Sequence, residues 1–77
     1  YIELDEKHAI IEVAVPDSWQ GHSIGELDIR KKYGVNNLGV KRDGKPDVTS
    51  SPSTVLDSGL TLLVLGENQA LKKHFRL

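Results

Sequence analysis

The chain contains no cysteine and no methionine. Without thiols it can form no disulfide, no thiolate nucleophile and no zinc–thiolate site. A cytosolic chain fits that absence. There is no apolar run near the roughly 20 residues needed to cross a bilayer, and no signal-peptide pattern. Nor is there an excess of charge of either sign: 10 Lys and Arg stand against 11 Asp and Glu, for a formal net charge of −1. That balance argues against a broad DNA- or RNA-binding surface, which needs a basic face. It leaves room for a small phosphate site, where one or two arginines suffice. His8 and His74 have no neighbouring Asp, Glu or Cys at metal-ligand spacing, His22 reads as local structure before a helix cap with Asp28 as a partner it could meet in space, and the loop hydroxyls Ser50, Ser51, Ser53 and Thr54 have no evident activating base. The expectation is therefore that the chain is not an enzyme and holds no metal.

What is present is an ordinary globular composition, 38% hydrophobic and 27% charged, over 77 residues. That length makes one domain, which buries only about 60% of its extended surface, so dimerisation would add useful area. Because residue 1 is Tyr and methionine is absent, the chain is expected to be a piece of a longer protein.

The pattern predicts an α+β fold with mixed or antiparallel strands and two helices. Residues 1–7 are polar and read as a lead-in or linker, with the folded domain over residues 8–77. Residues 8–15 are β-branched and alternating, with Ile11, Val13 and Val15 on one face and Ile10, Glu12 and Ala14 on the other. Pro16 ends that strand. Trp19, in the loop that follows, either lids the core or anchors an interface. Ser23 and Glu26 have capping-box spacing, and Gly34 can end a helix in the left-handed conformation, so one helix is expected over residues 24–33. Its apolar residues spread too widely for a single narrow stripe. A second strand over residues 36–42, with Leu38 and Val40 on one face, leads into the Asp43–Gly44 hairpin turn and a return strand over residues 45–48. Residues 49–54 form a hydroxyl-rich loop. Residues 61–65 are the most apolar stretch and the expected central strand. Asn68 is a plausible N-cap for a last helix over residues 69–75 that buries Leu71 and Phe75.

Taken together, Gly21-His22-Ser23-Ile24-Gly25-Glu26-Leu27, then Arg30 and Tyr33-Gly34-Val35, then Gly39 to Lys45, the Pro52 loop and Leu56 to Gly66 resemble the C-terminal domain of RCK proteins, also called TrkA-C. These are cytosolic regulatory parts of potassium channels and transporters. The stretch Ile29 to Asn36 resembles the gating subunits of Ktr-type potassium uptake systems in particular. Leu60 stands where most members of the family carry Asp, so a turn carboxylate is missing.

The resemblance implies a two-fold homodimer, a gating ring in the full protein, and a membrane potassium-transporting partner that keeps the domain at the inner face of the membrane. It also implies a preceding Rossmann-like domain that binds ATP, ADP or a dinucleotide. Gly21-x-x-x-Gly25 is not the dinucleotide fingerprint, so that binding belongs outside this chain. In the Ktr-like branch the dimer cleft resembles a receptor for cyclic di-AMP, which inhibits potassium uptake. Arg30 is the candidate phosphate contact, its planar fork being always charged; its alternative is an i,i+4 pair with Glu26. Asn36 can meet an adenine edge, or serve as a turn residue beside Gly34. Ile24 and Ile29 can wall an adenine or simply pack the core. Pro52 can cover a base or stiffen its loop. The competing reading of the whole chain is an assembly domain of the gating ring with no ligand of its own.

Overall fold

The computed structural model describes residues 1–76. The expected end of the domain at Leu77 lies outside the described residues. Five strands form one sheet in the order β1-β2-β5-β3-β4, and every ladder is antiparallel. They are β1 (Ile2–Glu3), β2 (His8–Ala14), β3 (Val35–Arg42), β4 (Lys45–Pro46) and β5 (Leu60–Glu67). Three short helices, α1 (Ile24–Leu27), α2 (Ile29–Tyr33) and α3 (Asn68–His74), and a 3-10 turn at Asp17–Trp19 lie on one side of it.

The core follows from alternation. Ala9, Ile11, Val13 and Val15 point to the helical side, and so do Leu60, Leu62 and Val64. The facing layer supplies Trp19, Leu27, Ile29, Leu56, Leu71 and Phe75. Trp19 is 2% exposed, with its ring 4.7 Å from Tyr33 and edge-on to Phe75 at 5.4 Å. It belongs to the core rather than to an interface. Gly66 sits where β5 passes β3, and a Cβ there would lie 2.7 Å from Val35 Cγ1. Only glycine lets the two strands and Leu71 close up at that point.

Several expectations need correction. The lead-in is not a linker, because β1 pairs with β2 in the register Ile2↔Ile10 and Glu3↔Ala9. Asp5 makes the intervening turn by accepting the Lys7 and His8 N–H groups, both at 2.8 Å. Asn68 does not cap α3. It is the first helical residue, and its amide donates to the Glu6 carbonyl at 3.2 Å, tying α3 to the β1–β2 turn. A register shift between Asn37 and Gly39 separates Leu38 from Val40, leaving Leu38 54% exposed and Val40 at 1%. β4 is only two residues long, ending at Pro46.

The expected single helix over residues 24–33 is broken. Asp28 adopts φ 49 and ψ 53, the left-handed conformation, and separates α1 from α2. In a continuous helix, residues two apart are about 200° apart around the axis. Leu27 and Ile29, buried to 7% and 5% exposure, could not then face one core. The break turns both inward, at a residue type that tolerates left-handed backbone better than most. Gly34 then ends α2 at φ 70, as its sequence position suggests.

The missing carboxylate at Leu60 is supplied from nearby. Asp57 Oδ1 accepts the Gly59 N–H at 2.8 Å, while Leu60 goes into the core at 3% exposure. The Asp43–Gly44 turn forms as expected, with both residues at positive φ.

Candidate functional site

The candidate residues come from four adjoining pieces of chain: α1, α2, the start of β3 and the loop after β4. The N-terminus of α1 is fixed by a complete capping box. Ser23 Oγ accepts the Glu26 N–H at 3.1 Å, and Glu26 Oε1 accepts the Ser23 N–H at 3.0 Å. The same carboxylate oxygen lies 3.0 Å from His22 Nδ1. The Ser23 N–H, then His22, hold the Glu26 carboxyl below its ordinary pKa. Glu26 is thus occupied within its own turn, and Arg30 makes no ion pair with it or with any other group among the described residues. The i,i+4 alternative for Arg30 is not what forms. Arg30 projects from α2 into solvent, and its carbonyl accepts the Gly34 N–H at 3.1 Å to close the helix.

Asn36 follows two residues after that cap. It is exposed, and it stands opposite Leu65 on β5, so its side chain lies on the sheet face away from the helices. Its amide has no hydrogen-bond partner among the described residues, and the cap beside it is made by backbone alone. Ile24 is half-buried, and its N–H donates to the Thr54 carbonyl at 2.9 Å. The next N–H, Gly25, donates to the Pro52 carbonyl at 2.7 Å. A Cβ at Gly25 would stand 3.0 Å from that oxygen and 3.2 Å from the Pro52 Cβ. The exposed Pro52 is therefore clamped against the first turn of α1, beside Ile24. Ile29 is a core residue, reaching the site only from beneath as the anchor of α2.

The structure thus brings Ile24 and Pro52 together, and sets Arg30 and Asn36 on either side of the Gly34 cap. Two clefts lie elsewhere. One of about 700 Å³ runs between residues 13–18 and 72–76. One of about 330 Å³ is lined by Glu6, Lys7, Glu67, Asn68 and Gln69.

Lys41, Arg42 and Lys45 cluster around the hairpin, and two of the three are paired with carboxylates. Lys41 Nζ lies 3.0 Å from Glu12 Oε1, and Arg42 Nη2 lies 2.6 Å from Asp57 Oδ2. Sequence reasoning missed the Glu12–Lys41 contact, which spans the sheet, and the left-handed Asp28. The second had a signal: two apolar residues flanking Asp28 at a spacing no single helix face accommodates.

Residues 8–77 match the family model described as the TrkA-C domain. Among curated proteins, the chain is 33% identical over 66 residues to the Ktr system potassium uptake protein C of Bacillus subtilis (strain 168), covering 86% of this chain and 30% of that protein. It is 26% identical over 73 residues to the Ktr system potassium uptake protein A of the same organism, covering 95% of this chain and 33% of that protein. The chain therefore spans about a third of the length of these relatives. Among solved structures, the RCK C domain of the potassium transport protein KtrA, in complex with cyclic diadenosine monophosphate, superposes with a TM-score of 0.75 at 32% identity, over 86% of this chain and 78% of that one. The RCK_C domain dimer of S. agalactiae BusR in complex with c-di-AMP does so with a TM-score of 0.66 at 25% identity, over 90% and 89% of the two chains.

Proposed function

The chain belongs to the TrkA-C domain family, and from that premise we propose that it is the ligand-sensing part of a cytosolic regulator of potassium uptake, a homodimer that takes cyclic di-AMP in a cleft shared by its two copies. The observation that carries this reading is the likeness of most of the chain to a KtrA domain solved with that ligand. The geometry supports it. Arg30 is exposed and free of the one carboxylate within helical reach.

Cyclic di-AMP carries two phosphates and two adenines related by approximate two-fold symmetry. A two-fold dimer presents each site residue twice, so each half of the ligand meets the same chemistry. In this reading the two Arg30 guanidinium groups pair with the two phosphates. Asn36 donates to and accepts from an adenine edge. Ile24 walls the base, with Ile29 supporting α2 from the core, and Pro52 covers the base from the clamped loop. Nothing in this chemistry transfers a group, so the domain senses rather than catalyses.

A ligand changes transport only through its different affinity for different dimer geometries. In the full protein that bias passes through a preceding nucleotide-binding domain that takes ATP or ADP, a gating ring and a membrane potassium-transporting subunit, lowering potassium flux. That partner holds the domain at the inner face of the membrane.

Isothermal calorimetry with cyclic di-AMP tests the site. Charge-assisted hydrogen bonds contribute about 1.5–3 kcal/mol each. Arg30→Ala should therefore weaken binding by at least about tenfold, with an unchanged melting temperature because the side chain is exposed. Unchanged affinity in R30A discards the proposed site. No heat from folded, dimeric wild type leaves the assembly role.

A further inference from the structure

Residues 47–59, between β4 and β5, contain no helix or strand element, yet they are fixed along their length. Both ends return to the end of β3. At one end the Asp47 N–H donates to the Val40 carbonyl at 2.9 Å. At the other, Arg42, the last residue of β3, donates from Nη2 to Asp57 Oδ2 at 2.6 Å and from Nη1 to Asp57 Oδ1 at 3.4 Å. Between these two points the chain makes a closed loop of the Ω kind, with its ends together.

The middle of the loop is laced, antiparallel, to the entry of α1. The Gly21 N–H donates to the Leu56 carbonyl and the Leu56 N–H to the His22 carbonyl, both at 2.9 Å. Val55 bridges Ser23, and the Ile24 and Gly25 N–H groups reach the Thr54 and Pro52 carbonyls. Ser23 takes the next two donors, the Glu26 N–H on its hydroxyl and the Leu27 N–H on its carbonyl. Every N–H in the first turn of α1 is thus occupied, and the loop itself caps the helix. Where Pro52 stands against Ile24 therefore depends on how the loop is held.

Among the described residues the loop has one ion pair, Arg42 with Asp57. The Arg42 guanidinium, then the Gly59 N–H, hold the Asp57 carboxyl below its ordinary pKa. A Cβ on Gly59 would lie 2.9 Å from Arg42 Nη1, so the guanidinium is folded close over that turn. Both side chains are about half exposed, and a pair so exposed adds little to global stability. Arg42 is spent on its carboxylate where Arg30 is free. It also stands at the other end of β3 from Asn36, about 20 Å along the strand.

We propose that Arg42 and Asp57 are positioning residues of the ligand site: their ion pair closes the neck of the loop and so sets Pro52 against Ile24 before cyclic di-AMP arrives. This deepens the functional reading above and rests on it. The pair touches no part of the ligand. It acts by ordering the loop in advance, so that binding does not have to.

Calorimetry with cyclic di-AMP and amide hydrogen exchange test the pair. Arg42→Gln should weaken binding by about three- to tenfold, because the loop must then be ordered on binding, with an unchanged melting temperature. Arg42→Lys keeps the charge and should recover most of the loss. Asp57→Asn keeps an oxygen for the Gly59 N–H but loses the ion pair, and should weaken binding as much as Arg42→Gln does. The double variant should bind no more weakly than either single one. In Arg42→Gln without ligand, the Ile24 and Gly25 amides should exchange at least about threefold faster, while those of β5 stay as in wild type.

Unchanged affinity in Arg42→Gln overturns the proposal, as does unchanged exchange at Ile24 and Gly25. So does tighter binding in Asp57→Asn, which would make Arg42 a direct phosphate contact held back by that carboxylate. The ligand reading fails separately, in the wild-type titration. Wild type that gives no heat with cyclic di-AMP removes both readings. Wild type that binds, with an Arg42→Gln chain that binds equally well, keeps the ligand and removes the positioning role.

Discussion

The two faces of one sheet are built from alternate residues of the same strands, and they behave as different materials. On the covered face, Val13, Leu62 and Val40 line up across three strands at 8%, 0% and 1% exposure. No polar or charged residue is buried there. On the open face, the neighbouring rows hold half-buried leucines, a carboxylate, an ammonium, a hydroxyl and an amide. The covered face is finished within one chain. The open face is mixed, partly apolar and partly polar, as the solvated side of an antiparallel sheet can be.

The largest test of this contrast is truncation of adjacent leucines. Leu62→Ala on the covered face should cost about 2–5 kcal/mol, a large part of the stability of so short a chain. Leu63→Ala, one residue on and half-exposed, should cost under about 1.5 kcal/mol. Denaturant titration at low protein concentration separates the two. Equal losses would mean that the open face is as load-carrying within one chain as the covered one.

A finer test uses glycine. Gly66→Ala on the covered face drives a methyl into Val35 Cγ1 at 2.7 Å and should destabilise by about 1–3 kcal/mol. Gly39→Ala on the open face meets nothing within 4 Å, and should be neutral or stabilise by up to about 1 kcal/mol. Thermal melts of the two variants should move in different directions or by clearly different amounts.

The smallest effect concerns acid. The carboxyls of Asp5, Glu12, Glu26, Asp47 and Asp57 all sit below their ordinary values of 3.8 for Asp and 4.5 for Glu, held by hydrogen bonds from backbone N–H groups, hydroxyls and cations. A carboxyl depressed in the folded state releases its proton there first, so the unfolded chain binds more protons in the window between. Its contribution is complete above the ordinary value and is lost as pH falls through the lowered one. Glu12→Gln should therefore flatten the fall of melting temperature below about pH 4.5. The core beneath the covered face, in which no polar or charged residue is buried, should leave no trace in that profile.

Much of this was legible beforehand. The Ser23–Glu26 box, the Gly34 cap, the Asp43–Gly44 turn and the inward face of β2 are each fixed by residues within one turn or one strand of each other, and each formed as its pattern indicates. The order of motifs was enough to suggest the TrkA-C domain. What misled was equally local. Residues 1–7 look polar and loose until β2 is present to pair with Ile2 and Glu3. Asn68 looks like a cap until the Glu6 carbonyl arrives from the other end of the chain.

The sequence by itself determined the alternation of the strands, the punctuation between elements and the exposure of Arg30, because those depend on near neighbours and on charge that cannot be buried unpaired. Only the tertiary structure decided that Asp28 turns left-handed, that Glu12 reaches Lys41, and that Gly66 must have no side chain. Each is settled by a contact between distant segments. Leu27 and Ile29 must enter one core together, β5 must come to lie between β2 and β3, and Val35 must close against β5. A short polar residue, a carboxylate or a glycine reads the same along the chain whether or not such a contact exists. The free energy that selects among their conformations is released only when the segments pack.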